Sequence, residues 1–160
     1  MLWALEQASV AMSDALTLDD VLESIGTTLM RLNVHSIVFR LDPDGERMRL
    51  AYLSSDSEIV RMLERRIGLT REKFSVEVGR VDFYKRLIHE RETEYLENSY
   101  EVARQVLPGI AGHLVSFILE RLGMAQMIGA PLVTGGEVWG IFIISSNLLT
   151  ADDKSAMQVF

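Results

Sequence analysis

The chain has 160 residues, 48% of them apolar and 24% charged, the proportions of one ordinary globular domain. At this length folding buries roughly 70% of the extended chain's surface, so a core needs no metal or disulfide staple, and disorder, collagen-like sequence and low complexity are excluded. Sixteen Lys and Arg against twenty-three Asp and Glu leave a net charge of −7, which argues against nucleic acid as a partner, because phosphate-backbone binding rests on clustered cations.

The opening reads as a helix over 1–16. Leu2, Leu5, Met12 and Leu16 fall on an alternating three- and four-residue spacing, with Ser9 at the remaining position of the seam. Such a seam meets either a second helix or the chain's own domain. Thr17-Leu18-Asp19-Asp20 then resembles a capping box: the Thr17 hydroxyl accepts an early backbone N–H, and Asp20 reaches back toward the positive end of the helix dipole. Leu18, Leu22, Ile25 and Leu29 share one face, so a second helix runs to about Leu32.

Next the period changes to two. Ile37, Phe39 and Leu41 alternate with Ser36, Val38 and Arg40; Met48, Leu50 and Tyr52 alternate with Arg47, Arg49 and Ala51. Between them Asp42-Pro43-Asp44-Gly45 is a turn, with Pro43 fixing φ and Gly45 free to take positive φ, so the pair makes a hairpin. Ser57, Ile59 and Leu63 suggest a short helix ending near Gly68. Phe74, Val76 and Val78 mark a half-buried strand, and after Gly79, Asp82 caps a helix carrying Phe83, Leu87 and Ile88. Glu94-Tyr95-Leu96 is a short strand. From Glu97 to Gly112 the signals conflict around Pro108-Gly109 and predict a long irregular stretch, uncommon unless it covers a site.

Leu114, Phe117, Ile118 and Leu122 predict another amphipathic helix, stopped by Gly123. Gln126 to Val133, the turn Thr134-Gly135-Gly136-Glu137 and the run Val138 to Ile144 form a last hairpin. Its second strand is apolar at consecutive positions, hence covered on both faces and central. Pro131 cannot donate a ladder hydrogen bond, so its strand bulges or turns that position outward. Gly140 lets a covering element come close. Thr150-Ala151-Asp152-Asp153 repeats the capping pattern before a final helix over 151–160, which breaks off at Phe160 and suggests a piece of a longer protein.

That order describes an α+β domain spanning residues 1–160. Three stretches are similar to a GAF domain, the small-molecule sensor module related to PAS domains. They are Thr17-Leu18-Asp19-Asp20-Val21-Leu22 with the strand inside Leu32–Asp42; Ile128-Gly129-Ala130-Pro131-Leu132-Val133 with Gly136-Glu137-Val138-Trp139-Gly140-Ile141; and Leu149-Thr150-Ala151-Asp152-Asp153. The resemblance implies a six-stranded antiparallel sheet with its first and last strands adjacent at the centre. Terminal helices would lie on one face and mediate a homodimer; the Gly68–Gly123 region would close over a ligand cavity on the other. Tyr52, Phe74, Tyr95 and Tyr100 would border that cavity, where each can orient a ligand or simply fill the core.

The chemistry sought in the residues is mostly missing. No P-loop, Gly-X-Ser-X-Gly, His-Glu-X-X-His or dinucleotide fingerprint occurs, and the three His are too scattered for a metal site. His113, beside the apolar face of the helix that also carries Phe117 and overlooks the cavity, is either hydrogen-bonded to backbone or an axial haem ligand or polar anchor. There is no Cys, which excludes disulfides, thiolate sites, covalent bilin attachment and the thiol chemistry of GAF-like free methionine sulfoxide reductases. The cyclic-nucleotide signature of some GAF domains is not met: no Lys follows Asn147, and Leu149 stands where Phe would be.

No run approaches the roughly 18 apolar residues of a membrane span, and the start lacks a basic signal-peptide region. The segment is therefore expected to be cytoplasmic and not inserted in a membrane. The resemblance implies a non-catalytic sensor domain of a larger signalling protein, most of all a sensor histidine kinase, with a diguanylate cyclase among the possible outputs following Phe160. The rivals are a purely structural dimerisation module, and a haem- or cyclic-nucleotide-binding sensor. No cofactor is assigned beyond an unidentified small molecule.

Overall fold

The computed structural model describes residues 17–54, 65, 73–107 and 112–157. The helix expected over 1–16, with Leu2, Leu5, Met12 and Leu16, lies outside the described residues, as does all but Arg65 of the one expected over 57–68.

Helix α1 (Leu18–Met30) starts where the capping box puts it. Thr17 is extended, its Oγ1 accepts from Asp20 N at 3.2 Å, and it donates to Asp20 Oδ2 at 2.6 Å. Asp19 and Asp20 sit in the first turn, where the dipole favours them. The hairpin β1 (His35–Leu41) and β2 (Arg47–Leu53) follows. Gly45 takes φ +73° in its turn and donates to Asp42 O at 2.9 Å. Strand β3 (Ser75–Glu77) leads through a 3-10 turn (Val78–Arg80) into α2 (Asp82–Lys85), which continues as a π-helical turn over Arg86–Glu90. Asp82 is the first residue inside α2 and not its cap; its carboxylate pairs with Lys85 Nζ at 2.8 Å. Then come β4 (Glu94–Leu96), α3 (Tyr100–Val106), α4 (Gly112–Leu122), β5 (Gln126–Thr134), β6 (Glu137–Ser146) and a closing 3-10 helix (Ala151–Met157).

The six strands form one sheet in the order β3-β2-β1-β6-β5-β4, every neighbouring pair antiparallel. The first and last strands are adjacent at its centre. Because β6 is covered on both faces, its consecutive apolar residues divide cleanly: Phe142 and Ile144 join Leu22, Ile25, Leu29 and Met157 on one side, while Ile141 and Ile143 join Phe39, Met48 and Leu87 on the other. The near face thus packs α1 and the closing helix together, and the far face packs the mid-chain elements. Ile141, Ile143 and Ile144 are at most 1% exposed, and each such side chain contributes roughly 1.5–3 kcal/mol by its burial.

Three details depart from the expected pattern. Residues 97–112 are not irregular throughout: α3 occupies seven of them, with Asn98 Oδ1 accepting from Tyr100 N at 3.0 Å and Ser99 Oγ donating to Met124 O. The local Asn98 side chain supports the start of that helix and Ser99 ties it to the chain before β5, signals with no hydrophobic period. The closing segment is a 3-10 helix, though the Thr150–Asp153 cap forms as expected, with Thr150 N donating to Asp153 Oδ2 at 2.9 Å. Finally, each hairpin carries a bulge, at Ala51 in β2 and at Trp139 in β6, where the partner registers jump by one residue.

Candidate functional site

The far face is the side of the sheet on which the mid-chain elements could close over a ligand. Its floor is Phe39, Met48, Met127, Ile141 and Ile143; its cover is Phe83, Tyr84, Leu87 and Ile88 from the α2 segment, with Val102 of α3. The cover comes this close because of Gly129 in β5: a methyl there would lie 2.6 Å from Leu87 Cδ1 and 2.7 Å from Phe83 Cζ. Sequence reasoning gave that role to Gly140. Position 140 instead faces the backbone of β1, where a methyl would meet Phe39 O at 2.3 Å. Pro131 lies past the last residue of β5 that pairs with β4, Gly129, so the short edge strand does not need its missing N–H.

The described part of this face is aromatic and filled. Ring centroids are 6.1 Å apart for Phe39 and Phe74, and 5.8 Å apart for Phe39 and Tyr84 and for Phe83 and Tyr84, all tilted. Tyr84 is 3% exposed, and among the described residues its hydroxyl has no hydrogen-bond partner. Burial raises its pKa well above the ordinary phenol value.

The sequence candidates divide between the two faces. Phe74 lies on the far face, beside Phe39. Tyr52 does not: it packs on the near face with Leu22, Ile25 and Val38, because the bulge at Ala51 inserts one residue and turns it away from Met48 and Leu50, whose side it would share by simple alternation. Tyr95 also packs toward the near face, on a three-residue strand too short to show a period. Tyr100 is half-buried at the start of α3 and joins neither core cluster. Phe117 is 53% exposed, since the buried stripe of α4 runs through Val115 and Ile118. His113 is in the first turn of α4, its side chain outside the described residues.

A residue to which sequence reasoning gave no role proves structural. His35 is 7% exposed; its Nε2 lies 2.8 Å from Leu122 O, the last carbonyl of α4, and its Nδ1 lies 3.4 Å from Ser54 O. Ser54 Oγ accepts from Ser36 N at 2.6 Å and from Ser36 Oγ at 3.0 Å. Polar His35, Ser36 and Ser54 stand together at the open end of the β1–β2 hairpin, but the partner on α4 is far away in sequence.

Among the described residues no three His, Asp or Glu converge as a metal site, and no helix is long and apolar enough to cross a membrane. Among the described residues the far face offers apolar contact area and the buried phenol of Tyr84.

No protein-family model matches the sequence, and no curated protein matches it. Solved structures do. The GAF domain of a phosphoenolpyruvate-protein phosphotransferase from Coxiella burnetii superposes with a TM-score of 0.64 at 16% identity, over 99% of this chain and 86% of that one. The fRMsr of Staphylococcus aureus, solved in complex with its substrate, gives 0.63 at 10% identity, over 98% and 88%. A domain assigned to a two-component sensor histidine kinase protein from Sinorhizobium meliloti gives 0.52 at 19% identity, over 91% and 85%.

Proposed function

We propose that this chain, which has the fold of GAF domains, is a non-catalytic sensory module of a larger signalling protein, taken here as a sensor histidine kinase. One observation carries the reading: β1 and β6 lie side by side at the centre of the sheet, with α1 and the closing helix packed on one face and the mid-chain elements on the other. A small molecule among the mid-chain elements would bias, through those two strands, the packing of the elements at the chain's ends, to the extent that it binds one packing better than the other. The pairing of two copies through the 1–16 helix belongs to the same proposal. The kinase parent is supported by the Sinorhizobium meliloti domain among the structural neighbours.

The test is native mass spectrometry of the domain released without denaturation. The reading expects one small molecule per chain, lost on denaturation, and a dimer. Equal native and denatured monomer masses would remove it. A dimer with nothing bound would favour a structural module, a reading supported by the aromatic filling of the described far face.

A further inference from the structure

We propose a second binding site, at the open edge of β5, for a small organic anion: a carboxylate or phosphate monoester gripped between Arg91 and Lys154. Strand β4 pairs only with Met127–Gly129, so from Ala130 to Thr134 β5 keeps β6 on one side and has no strand on the other. The segment Arg91–Thr93 and the closing helix flank that free edge and leave a cleft of about 570 Å³, lined also by Pro131, Val133 and Met157. It is independent of any ligand on the far face.

Three features of the cleft point to a missing anion. Arg91 and Lys154 both line it, and neither has a carboxylate within 4.0 Å among the described residues, although Glu92 lies on the same wall. Thr93 also lines it and is 8% exposed, yet its hydroxyl has no hydrogen-bond partner among the described residues, an arrangement that is costly unless something else supplies one. Arg91 itself has φ +57° where the π-helical turn ends, a left-handed position that Gly or Asn usually fills. An Arg at this position carries a backbone cost that Gly would not.

The same residues set the ligand's class. A guanidinium and an ammonium give charge-assisted hydrogen bonds to one anionic group, and the Thr93 hydroxyl adds a neutral one. Of the apolar lining residues Val133 is the one left exposed, at 39%, while Pro131 and Met157 are buried, so the ligand carries a compact hydrocarbon part that rests on Val133. Glu92 disfavours a second negative group. Because Lys154 and Met157 belong to the closing helix and Arg91 to the exit from the far-face helix, an occupant would tie these two elements together.

The experiment is a titration of the ¹⁵N-labelled 160-residue chain with benzoate, and separately with inorganic phosphate, at constant ionic strength against chloride. Saturable shifts are expected at the amides of Arg91, Glu92, Thr93, Val133 and Lys154, benzoate binding tighter than phosphate because its ring can rest on exposed Val133. Lys154→Gln should weaken binding by about tenfold or more, the loss of one charge-assisted bond. Arg91→Gly should weaken it as much while raising Tm by about 2–4 °C, since Gly accepts the positive φ. Loss of affinity with gain of stability separates a ligand grip from a structural role. Shifts that never saturate, that scatter over all surface cations, or that persist unchanged in both variants would overturn the proposal.

Discussion

The Tyr52 hydroxyl fills the space that a side chain at position 26 would need: a methyl there would lie 1.9 Å from Tyr52 Oη and 2.6 Å from its Cε1. Gly26 is inside α1, where replacement by Ala ordinarily gains about 1 kcal/mol. Here the ring is 8% exposed and held, and overpacking against it costs about 1–3 kcal/mol. Gly26→Ala is therefore expected to lower stability in urea unfolding. In a Tyr52→Ala background the same change should become neutral or stabilising. Equal effects in both backgrounds would mean that the two positions are not coupled.

That contact also shows where the sequence stops being legible. Period-two reading of Met48, Leu50 and Tyr52 located β2 and its hairpin, while the resemblance set Tyr52 beside the cavity and the structure packs it on the near face. A bulge leaves hydrophobicity unchanged while reversing every face beyond it, and Ala51 carries no composition that announces one. Phe117 stands off the buried stripe for a related reason: on a short amphipathic helix, stripes through Leu114–Ile118 and through Val115–Ile118 differ by one residue, and only tertiary packing chooses between them. The strand order of the sheet was available from the resemblance, since antiparallel hairpins alone leave it open. His35 was unreadable because its partner, Leu122 O, is 87 residues away.

Two strand glycines should respond unequally to the same methyl. At Gly129 the obstacles are the ends of Leu87 and Phe83, which can shift, so Gly129→Ala should cost about 1–3 kcal/mol. At Gly140 the obstacle is Phe39 O, main chain of the central strand, which cannot move without disturbing the β1–β6 ladder. Gly140→Ala should cost about 3 kcal/mol or more. Leu87→Val, which lacks the Cδ1 in question, should recover part of the Gly129→Ala loss and none of the Gly140→Ala loss. Denaturant midpoints of both alanine variants, in the wild-type and the Leu87→Val backgrounds, give the ranking; the reverse order would contradict this account of both sites.

His35 ties the end of α4 to the sheet. A carbonyl only accepts, so at the 2.8 Å contact Nε2–H donates to Leu122 O, while the 3.4 Å contact at Nδ1 is too long to matter much. His35→Leu keeps most of the volume but leaves that carbonyl without its donor, an expected loss of about 1–3 kcal/mol. His35→Ala adds a cavity and should cost about 2–4 kcal/mol. Amide exchange would localise the effect, because the last turn of α4 should lose protection ahead of β1. Uniform loss across the domain would argue that His35 matters only as filling.

Tyr84 separates the free domain from a loaded one. Its phenol is buried, has no hydrogen-bond partner among the described residues, and has a raised pKa through desolvation. A raised folded pKa means that the group's contribution is fully present below the unfolded phenol value, about 10, and is lost as pH rises above it, when the unfolded chain ionises and the folded one resists. Tyr84→Phe should therefore keep its stability further into alkali than the wild type. At neutral pH it should be equal to the wild type or more stable by about 1 kcal/mol, since removing an unsatisfied buried hydroxyl removes its desolvation cost. A ligand that supplies the missing partner reverses this order: the loaded wild type would outlast the loaded Tyr84→Phe in thermal melts, while the stripped proteins keep the first ranking. Destabilisation of the stripped Tyr84→Phe at neutral pH would show that the hydroxyl is already satisfied within the chain and has no ligand to wait for.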